Sequence, residues 1–516
     1  MKTLESYVLG SWTAGTEAGR TLVNPSTEAP LATMSTAGID MAAVLRHGRE
    51  VGGPALRALG FRERANRLKA LSKAIYEHRE ELIDISTANA GTTRGDSKFD
   101  IDGCTGTLAS YAHYGKTLEE GGVLADGTGD QLGRTARFWG QHLFVPKEGV
   151  AVHINAFNFP AWNMGEKMAC AILAGMPVIE KPGTPTAMLA WRIAQIIVES
   201  ELLPEGSFQF LAGGVDDLLD HMGPQDCLAF TGSSWTGAKL RGNANLVKHN
   251  VHVNIEADSL NAAVLGPDVE NDSETFGAFV ANVAQDMTQK TGQKCTAVRR
   301  IFVPADRVDE VKDELVAALS RIQVGDPSSR ETNMGPVASK QQFDDVREGI
   351  EKLAAESTIL CGGLDAVHEK GFFIAPTLLL ANDPEGEVFH EFEVFGPCAT
   401  IIPYSGESAD AVRLVNKGGG GLVASVYSND RKWTESVFLG IAPWHGRVWI
   451  ASDRVVEQMT PPGMVLPASI HGGPGRAGGG AELGGLRGLE PYLQRVALQG
   501  FQGWIEKAFP VASGAE

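Results

Sequence analysis

From residue 149 to 256, short apolar runs alternate with longer stretches in which apolar residues recur every three or four positions. The runs are GVAVHIN (149–155), MPVIEK (176–181), SFQFLAG (207–213), CLAFTG (227–232) and NVHVNIE (250–256), and helical spacing falls near 161–174, 184–199, 214–222 and 234–244. Short strands alternating with helices predict βαβ units and a parallel sheet. Right-handed crossovers then give a doubly wound layer whose carboxyl strand ends form a ligand crevice. A second α/β block follows: RRIFVP (299–304) reads as a strand, VDEVKDELVAALSRI (308–322) as an amphipathic helix, and FFIAPTLLL, ATIIPYS and GLVASVYSND (421–430) as further strands. Residues 66–86 carry a charged helical pattern that predicts one long helix on the first sheet. TARFWGQHLFVPK (135–147) alternates apolar and polar residues after a glycine-rich turn. It predicts an exposed hairpin of the kind that pairs with another subunit. The final VASGAE reads as a loose tail.

A chain of 516 residues is too long for one core and predicts two or three domains. The 61 glycines exceed average usage of about 7% and imply many tight turns and close backbone approaches. A net charge of −18 argues against a nucleic-acid footprint, which needs a basic surface. The N-terminus lacks the apolar core of a secretory signal. The longest apolar run, near Ala169–Ile179, is short of the ~20 residues that span a bilayer. A cytoplasmic protein without membrane or nucleic-acid partners is expected. Six scattered cysteines without a C-x-x-C pair argue against a disulfide framework, and no His/Cys cluster has zinc spacing, so no metal is expected.

Four stretches end strands of the parallel block, where such a sheet binds its ligand: INAFNFPAW (154–162), IEKPGTPT (179–186), FTGSSWTG (230–237) and NIEADSLN (254–261). FTGSSWTG suits phosphate oxygens at a helix N-terminus, or is a plain βα turn with a serine cap. It is neither G-x-G-x-x-G nor a Walker loop. Lys181 suits a ribose or phosphate, or is simply solvated. Cys295 in TGQKCTAVRR is by itself a metal ligand, half a disulfide, a core filler or a nucleophile; composition weakens the first two. Glu256 alone could be an ion-pair partner, and Phe395 alone a core residue.

Taken together, N-F-P (158–160), K-P-x-x-x-T (181–186), F-T-G-S (230–233), a glutamate, G-Q-x-C (292–295) and E-x-F-G-P (393–397) resemble the aldehyde dehydrogenase superfamily. The resemblance runs from GSWTAG near the start to AELGGL near 485. It implies an α/β fold with a doubly wound Rossmann-type cofactor domain (1–256, interrupted by a bridging hairpin at about 130–148). An α/β catalytic domain (257–470) follows, and 471–516 return to the cofactor domain with an oligomerisation strand. A homodimer or dimer of dimers built on that small β arm is implied.

Carried over by the resemblance, Cys295 matches the nucleophile, Glu256 the general base and Asn158 the side-chain donor of the oxyanion hole. Glu482 matches a second, proton-relaying glutamate. Glu393 and Phe395 match the residues that position the nicotinamide ribose and ring. Ile154, Asn155, Phe157, Lys181, Thr184, Gly213, Thr231, Gly232 and Ser233 match positions lining the dinucleotide. The implied chemistry is attack of a thiolate on an aldehyde, hydride transfer to the nicotinamide, and hydrolysis of the thioester by a water that Glu256 activates. The thiolate needs local cations, for which Lys294 and Lys181 are the candidates, and the base needs a raised pKa. Cys104, Cys170, Cys227, Cys361 and Cys398 read as structural.

Two departures from the family pattern narrow the reading. Many members carry a glutamate at the position of Thr184, where it binds ribose hydroxyls and would repel a 2′-phosphate. A neutral hydroxyl near Lys181 accepts that phosphate, so NADP is expected, with NAD as the lesser cofactor. The run E-A-D-S-L-N after the base lacks two common glycines, which bears on how freely Glu256 swings. Together with HGGPGRAGGGAELGGLR (471–487), it resembles a branch that oxidises CoA-linked semialdehydes released when activated benzoate or phenylacetate rings open. With the chain ending at 516, a stand-alone enzyme of the benzoate type is expected. The competing readings are a CoA-acylating dehydrogenase, a dehydrogenase for a simple aldehyde, and a non-enzymatic nucleotide-binding protein. His471 opens a glycine-rich stretch that reads as a flexible returning loop, or as a substrate-facing wall with Arg476 on a CoA phosphate.

Overall fold

The computed structural model describes residues 1–118 and 120–510; the VASGAE tail lies outside the described residues. The first large sheet contains parallel strands β1 (Ala151–Ile154), β2 (Val178–Lys181), β3 (Phe208–Phe210), β4 (Cys227–Thr231) and β5 (His252–Glu256), in the order β5-β4-β1-β2-β3. Ser6–Val8 and Ser11–Thr13 extend it antiparallel beyond β3. The strands read as continuous apolar runs because both faces are covered. On one face lies helix α1 (Trp162–Ala174), every residue of which is buried, followed in the chain by α2 (Ala187–Glu199). Helix α3 (Ser234–Arg241) follows β4. The chain winds outward through β1, β2 and β3, then returns to lay β4 and β5 on the other side of β1. The strand order therefore reverses between β1 and β4, and the crevice of such a sheet opens at that reversal.

The second large sheet holds β6 (Ala262–Leu265), β7 (Arg300–Pro304), β8 (Thr377–Ala381), β9 (Cys398–Tyr404), β10 (Gly421–Tyr427) and β11 (His445–Ala451), with Ser357–Cys361 antiparallel at its edge. A small hairpin, β12 (Ile470–Gly472) and β13 (Ala481–Leu483), sits over the end of β5. The final strand, β14 (Leu493–Phe501), pairs along its whole length with Phe138–Pro146. The predicted hairpin is thus the middle of a larger sheet: Phe138–Pro146 also pairs with Leu124–Ala125 and Asp130–Gln131.

Two expected helices differ. The 66–86 pattern is two helices, Phe61–Glu77 and Arg79–Ala90, broken at His78. Residues 214–222 hold only a short 3-10 turn at Leu218–His221. Asp216 there has φ of 41°, a left-handed conformation that an α-helix does not admit. Among the described residues, no helix is long and apolar enough to cross a membrane.

Candidate active site

Adjacent strand ends bring the predicted dinucleotide-lining residues together. Lys181 stands opposite Ile154 in the β1–β2 register, Phe230 opposite Ile154 across β4, and Thr231 opposite Glu256. Asn155 is buried and donates to Glu180 (2.8 Å), which also holds His153. Gly213 is buried just after β3, and Gly232 donates its N–H to the Glu256 carbonyl (3.2 Å). Ser233 caps α3 by accepting from the Thr236 N–H, and the Asp258 carboxylate accepts from the Ser234 N–H (3.0 Å). That helix end attracts anions, as its free N–H groups and dipole require. Burial, with Arg20 nearby, lowers the Lys181 ammonium to about 8. Arg20 begins a strand whose first two residues are exposed and which lies against Thr184–Thr186. Two cations beside a neutral hydroxyl suit an additional phosphate. Arg20 went unnoticed in the sequence because it lies over 160 residues from Lys181.

Glu393 accepts from the Ser259 N–H (3.0 Å) and pairs with Arg299 (3.3 Å). Burial raises its carboxyl to about 7 against the pull of Arg299. The Phe395 ring meets Phe157 edge-on at 5.9 Å, and Arg299 lies over its other side. These donors, the anion-seeking helix end and the crevice at the strand reversal fit a dinucleotide.

Cys295 leaves a strained turn. Lys290 and Thr291 have φ of 52° and 57°, and Gly292 has φ of 67°. A Cβ on Gly292 would lie 2.2 Å from the Gly396 carbonyl oxygen, so glycine alone fits there. Downstream, the Asn261 amide donates to the carbonyls of Cys295 (2.7 Å) and Ala297 (2.9 Å). Asn261 is itself held by Ser259 and the Val423 N–H. Sequence analysis did not single out this asparagine, which sits in the same E-A-D-S-L-N run as the base. Asn158 is buried in the loop that follows β1. Cys104, Cys170, Cys227 and Cys398 are buried free thiols, and Cys361 is half-buried.

The Glu256 carboxylate, the Cys295 thiol and His471 converge, their polar atoms lying within 4.8 Å of one another. His471 Nε2 is 3.0 Å from Glu256 Oε1 and 3.8 Å from Cys295 Sγ. Burial, then the Glu256 charge, pushes the Cys295 thiol well above its ordinary range. Burial alone would raise Glu256 as well, but His471 and Lys167 outweigh it and hold the carboxyl down. This corrects the expectation of a raised base: Glu256 lies between two cation-forming groups. Lys294 also differs from expectation. Its ammonium is buried against Asp286 (2.6 Å) and Gln289, and so it supplies no charge to the sulfur.

His471 lies in a paired strand rather than a loose loop. Gly478 and Gly480 allow this, since a Cβ on either would lie 2.4 Å from the Ile255 carbonyl oxygen. Gly480 N–H donates to that oxygen and Ala257 N–H to Ala477, fastening the turn to the end of β5. Arg476 turns inward and donates to the Glu391 carbonyl (2.6 Å). Across the hairpin, Glu482 stands directly opposite His471. It pairs with Lys167 (3.4 Å), which also meets Glu166 (3.5 Å). The oxygens of Glu166, Glu256 and Glu482 lie within 4.8 Å of one another. Burial raises Glu166 to about 7 against the pull of Lys167, and three carboxyl groups and one ammonium share a single buried cluster. Glu166 and Lys167, buried in the middle of α1, carried no sequence signal beyond an apolar helix.

Residues 12–496 match the aldehyde dehydrogenase family. The chain is 43% identical over 478 residues to the 3,4-dehydroadipyl-CoA semialdehyde dehydrogenase of Aromatoleum evansii, covering 91% of this chain and 93% of that one. Among solved structures, an NAD-dependent aldehyde dehydrogenase from Sinorhizobium meliloti superposes with a TM-score of 0.85 at 22% identity, over 98% of this chain and 96% of that one. Betaine aldehyde dehydrogenase from Staphylococcus aureus in complex with NAD+ gives 0.84 at 23%, over 96% and 95%. Fold, strand-end motifs and these matches agree: the chain belongs to the aldehyde dehydrogenase family.

Proposed function

We propose that this chain oxidises a CoA-linked aliphatic semialdehyde, of the 3,4-dehydroadipyl-CoA semialdehyde type, to its acid with NADP in the catabolism of aromatic compounds. The observation that carries the reaction class is the Glu256 carboxylate, at the end of β5, within 4.8 Å of the Cys295 thiol. Cys295 passes its thiol proton to Glu256 and attacks the aldehyde carbon through sulfur; the proton then leaves Glu256 through the Glu166, Lys167 and Glu482 cluster, which frees the carboxylate for the second step. Asn158 and the Cys295 backbone N–H receive the oxygen as it becomes an alkoxide, each such donor being worth roughly 3 kcal/mol. A dinucleotide held in the crevice would supply the hydride acceptor; Glu393 and Phe395 would hold its nicotinamide end, and Lys181, Thr184 and Arg20 would favour a 2′-phosphate. Glu256 then takes a proton from the water that attacks the thioester carbon, and Glu166, Lys167 and Glu482 carry that proton away. A base beside the sulfur speaks against the acylating reading, in which free CoA replaces water. The semialdehyde rests on the Aromatoleum relative's name and on the 471–487 motif.

We further infer that residues 1–256 with 471–516 bind the cofactor and 257–470 supply the nucleophile. The protein acts in the cytoplasm as a homodimer or dimer of dimers joined through the β14 sheet. The test is a panel of aldehydes with and without a CoA moiety, assayed against NAD and NADP in the presence and absence of free CoA. Expected are preferred turnover of CoA-linked semialdehydes with NADP and no need for free CoA, all abolished in Cys295→Ala. Strict dependence on free CoA, or activity surviving in Cys295→Ala, would refute the mechanism.

A further inference from the structure

We propose that His471 is a catalytic residue: its imidazolium is the counter-charge that stabilises the Cys295 thiolate once Glu256 has taken the thiol proton. The inference rests on the reading of Cys295 as nucleophile. An attacking sulfur must be a thiolate, and a thiolate in a buried pocket needs a positive partner. Lys294 is bound to Asp286, and Arg447, whose charge reaches Cys295 only from beyond hydrogen-bond range, donates its N–H groups to the carbonyls of Pro462 and Met464. Among the described residues, His471 Nε2 is the protonatable nitrogen in hydrogen-bond range of Sγ.

The charged groups facing His471 are Glu256 from β5, Glu166 and Lys167 from α1, Glu482 from β13 and Cys295 itself. Burial disfavours the imidazolium, but Glu256 and the two further carboxylates overcome this and raise the histidine above its ordinary range. With the thiol and His471 raised and Glu256 lowered, the pocket favours a neutral thiol, an anionic Glu256 and a cationic His471. The activating step breaks S–H and forms O–H on Glu256. The sulfur gains the negative charge that the carboxylate loses, and the imidazolium stays between them. The resting pair holds the proton on sulfur, and the transfer proceeds without adding net charge to the trio in a low-dielectric site. With an uncharged side chain at 471, the same transfer would leave a buried thiolate without a cation in hydrogen-bond range. The position of Nε2, 3.0 Å from one acceptor and 3.8 Å from the other, suits a donor that serves both in turn.

The test is the rate of iodoacetamide alkylation at Cys295, read on its own peptide by mass spectrometry between pH 5.5 and 9.5, without aldehyde or dinucleotide. The chains compared are wild type, His471→Gln and His471→Phe. Wild type should show a plateau around neutral pH, because an internal proton transfer is independent of bulk pH. Both variants should lose the plateau, react at least tenfold more slowly at pH 7, and accelerate tenfold per pH unit above it. A plateau kept in His471→Gln would overturn the proposal, since glutamine retains a donor but no charge. A wild-type rate rising tenfold per unit throughout would overturn it without any variant. Aldehyde oxidation is measured separately: its absence beside an intact plateau would sink the functional reading and leave His471 standing.

Discussion

Thr184 lies three residues beyond Lys181 and against the strand that begins with Arg20. Thr184→Glu should lower kcat/KM for NADP at least tenfold, about 1.4 kcal/mol, while leaving NAD turnover equal or better. Initial rates with both dinucleotides check this, and undiminished NADP turnover would dismiss the argument. At this scale the sequence was legible where a residue's role follows from its neighbours in the chain. Cys295, Glu256 and Asn158 sit in short motifs, and the fold brings the polar atoms of the first two within 4.8 Å. It was illegible where side-chain direction or distant partners decide. Lys294 adjoins Cys295 in sequence yet points to Asp286. His471 is flanked by glycines that read as a loop, because pairing with Glu482 is invisible locally.

Among the elements, apolar strands were the easiest to anticipate, since burial on both faces leaves an uninterrupted signature in β1, β4 and β10. The Leu218–His221 turn was not, because a single left-handed Asp216 overrides helical spacing. The second sheet carries a polar cluster with a measurable consequence. Buried Arg300 of β7 donates to His390 Nδ1 (3.0 Å), whose Nε2 donates to the Pro384 carbonyl (2.8 Å). His445, at the start of β11, donates to the Ile441 carbonyl (3.0 Å). Burial lowers both histidines from 6.5 to about 4. Their neutral forms belong to the fold, so the stability they confer is present above pH 6.5 and is lost as pH falls towards 4. Each contributes at most about 1.4 kcal/mol per pH unit in that window. Urea unfolding at pH 7, 6 and 5 should show this decline, and His390→Gln should make it shallower; an identical slope in that variant would contradict the assignment.

For the whole molecule, the sheet of β14 and Phe138–Pro146 exposes Phe138 and Phe501 on one face and Val496 on the other, with Trp504 just beyond, all along the β14 edge. Such a patch on a strand edge is what a second subunit covers. Val496→Lys with Phe501→Glu should shift the protein to monomer in sedimentation or light scattering; an unchanged assembly would place the interface elsewhere. The same C-terminal segment reaches the chemistry through the hairpin that precedes it. Side chains of a strand alternate between faces, so a slip of one residue between β12 and β13 would reverse which of them look inward. His471 and Glu482 are opposite partners in that register. Inserting or deleting one residue among 473–480 would therefore withdraw the group facing the sulfur, the group facing Lys167, or both, with every active-site side chain chemically intact. The spacing of a glycine turn is thus as much a determinant of turnover as the identity of the residues it separates.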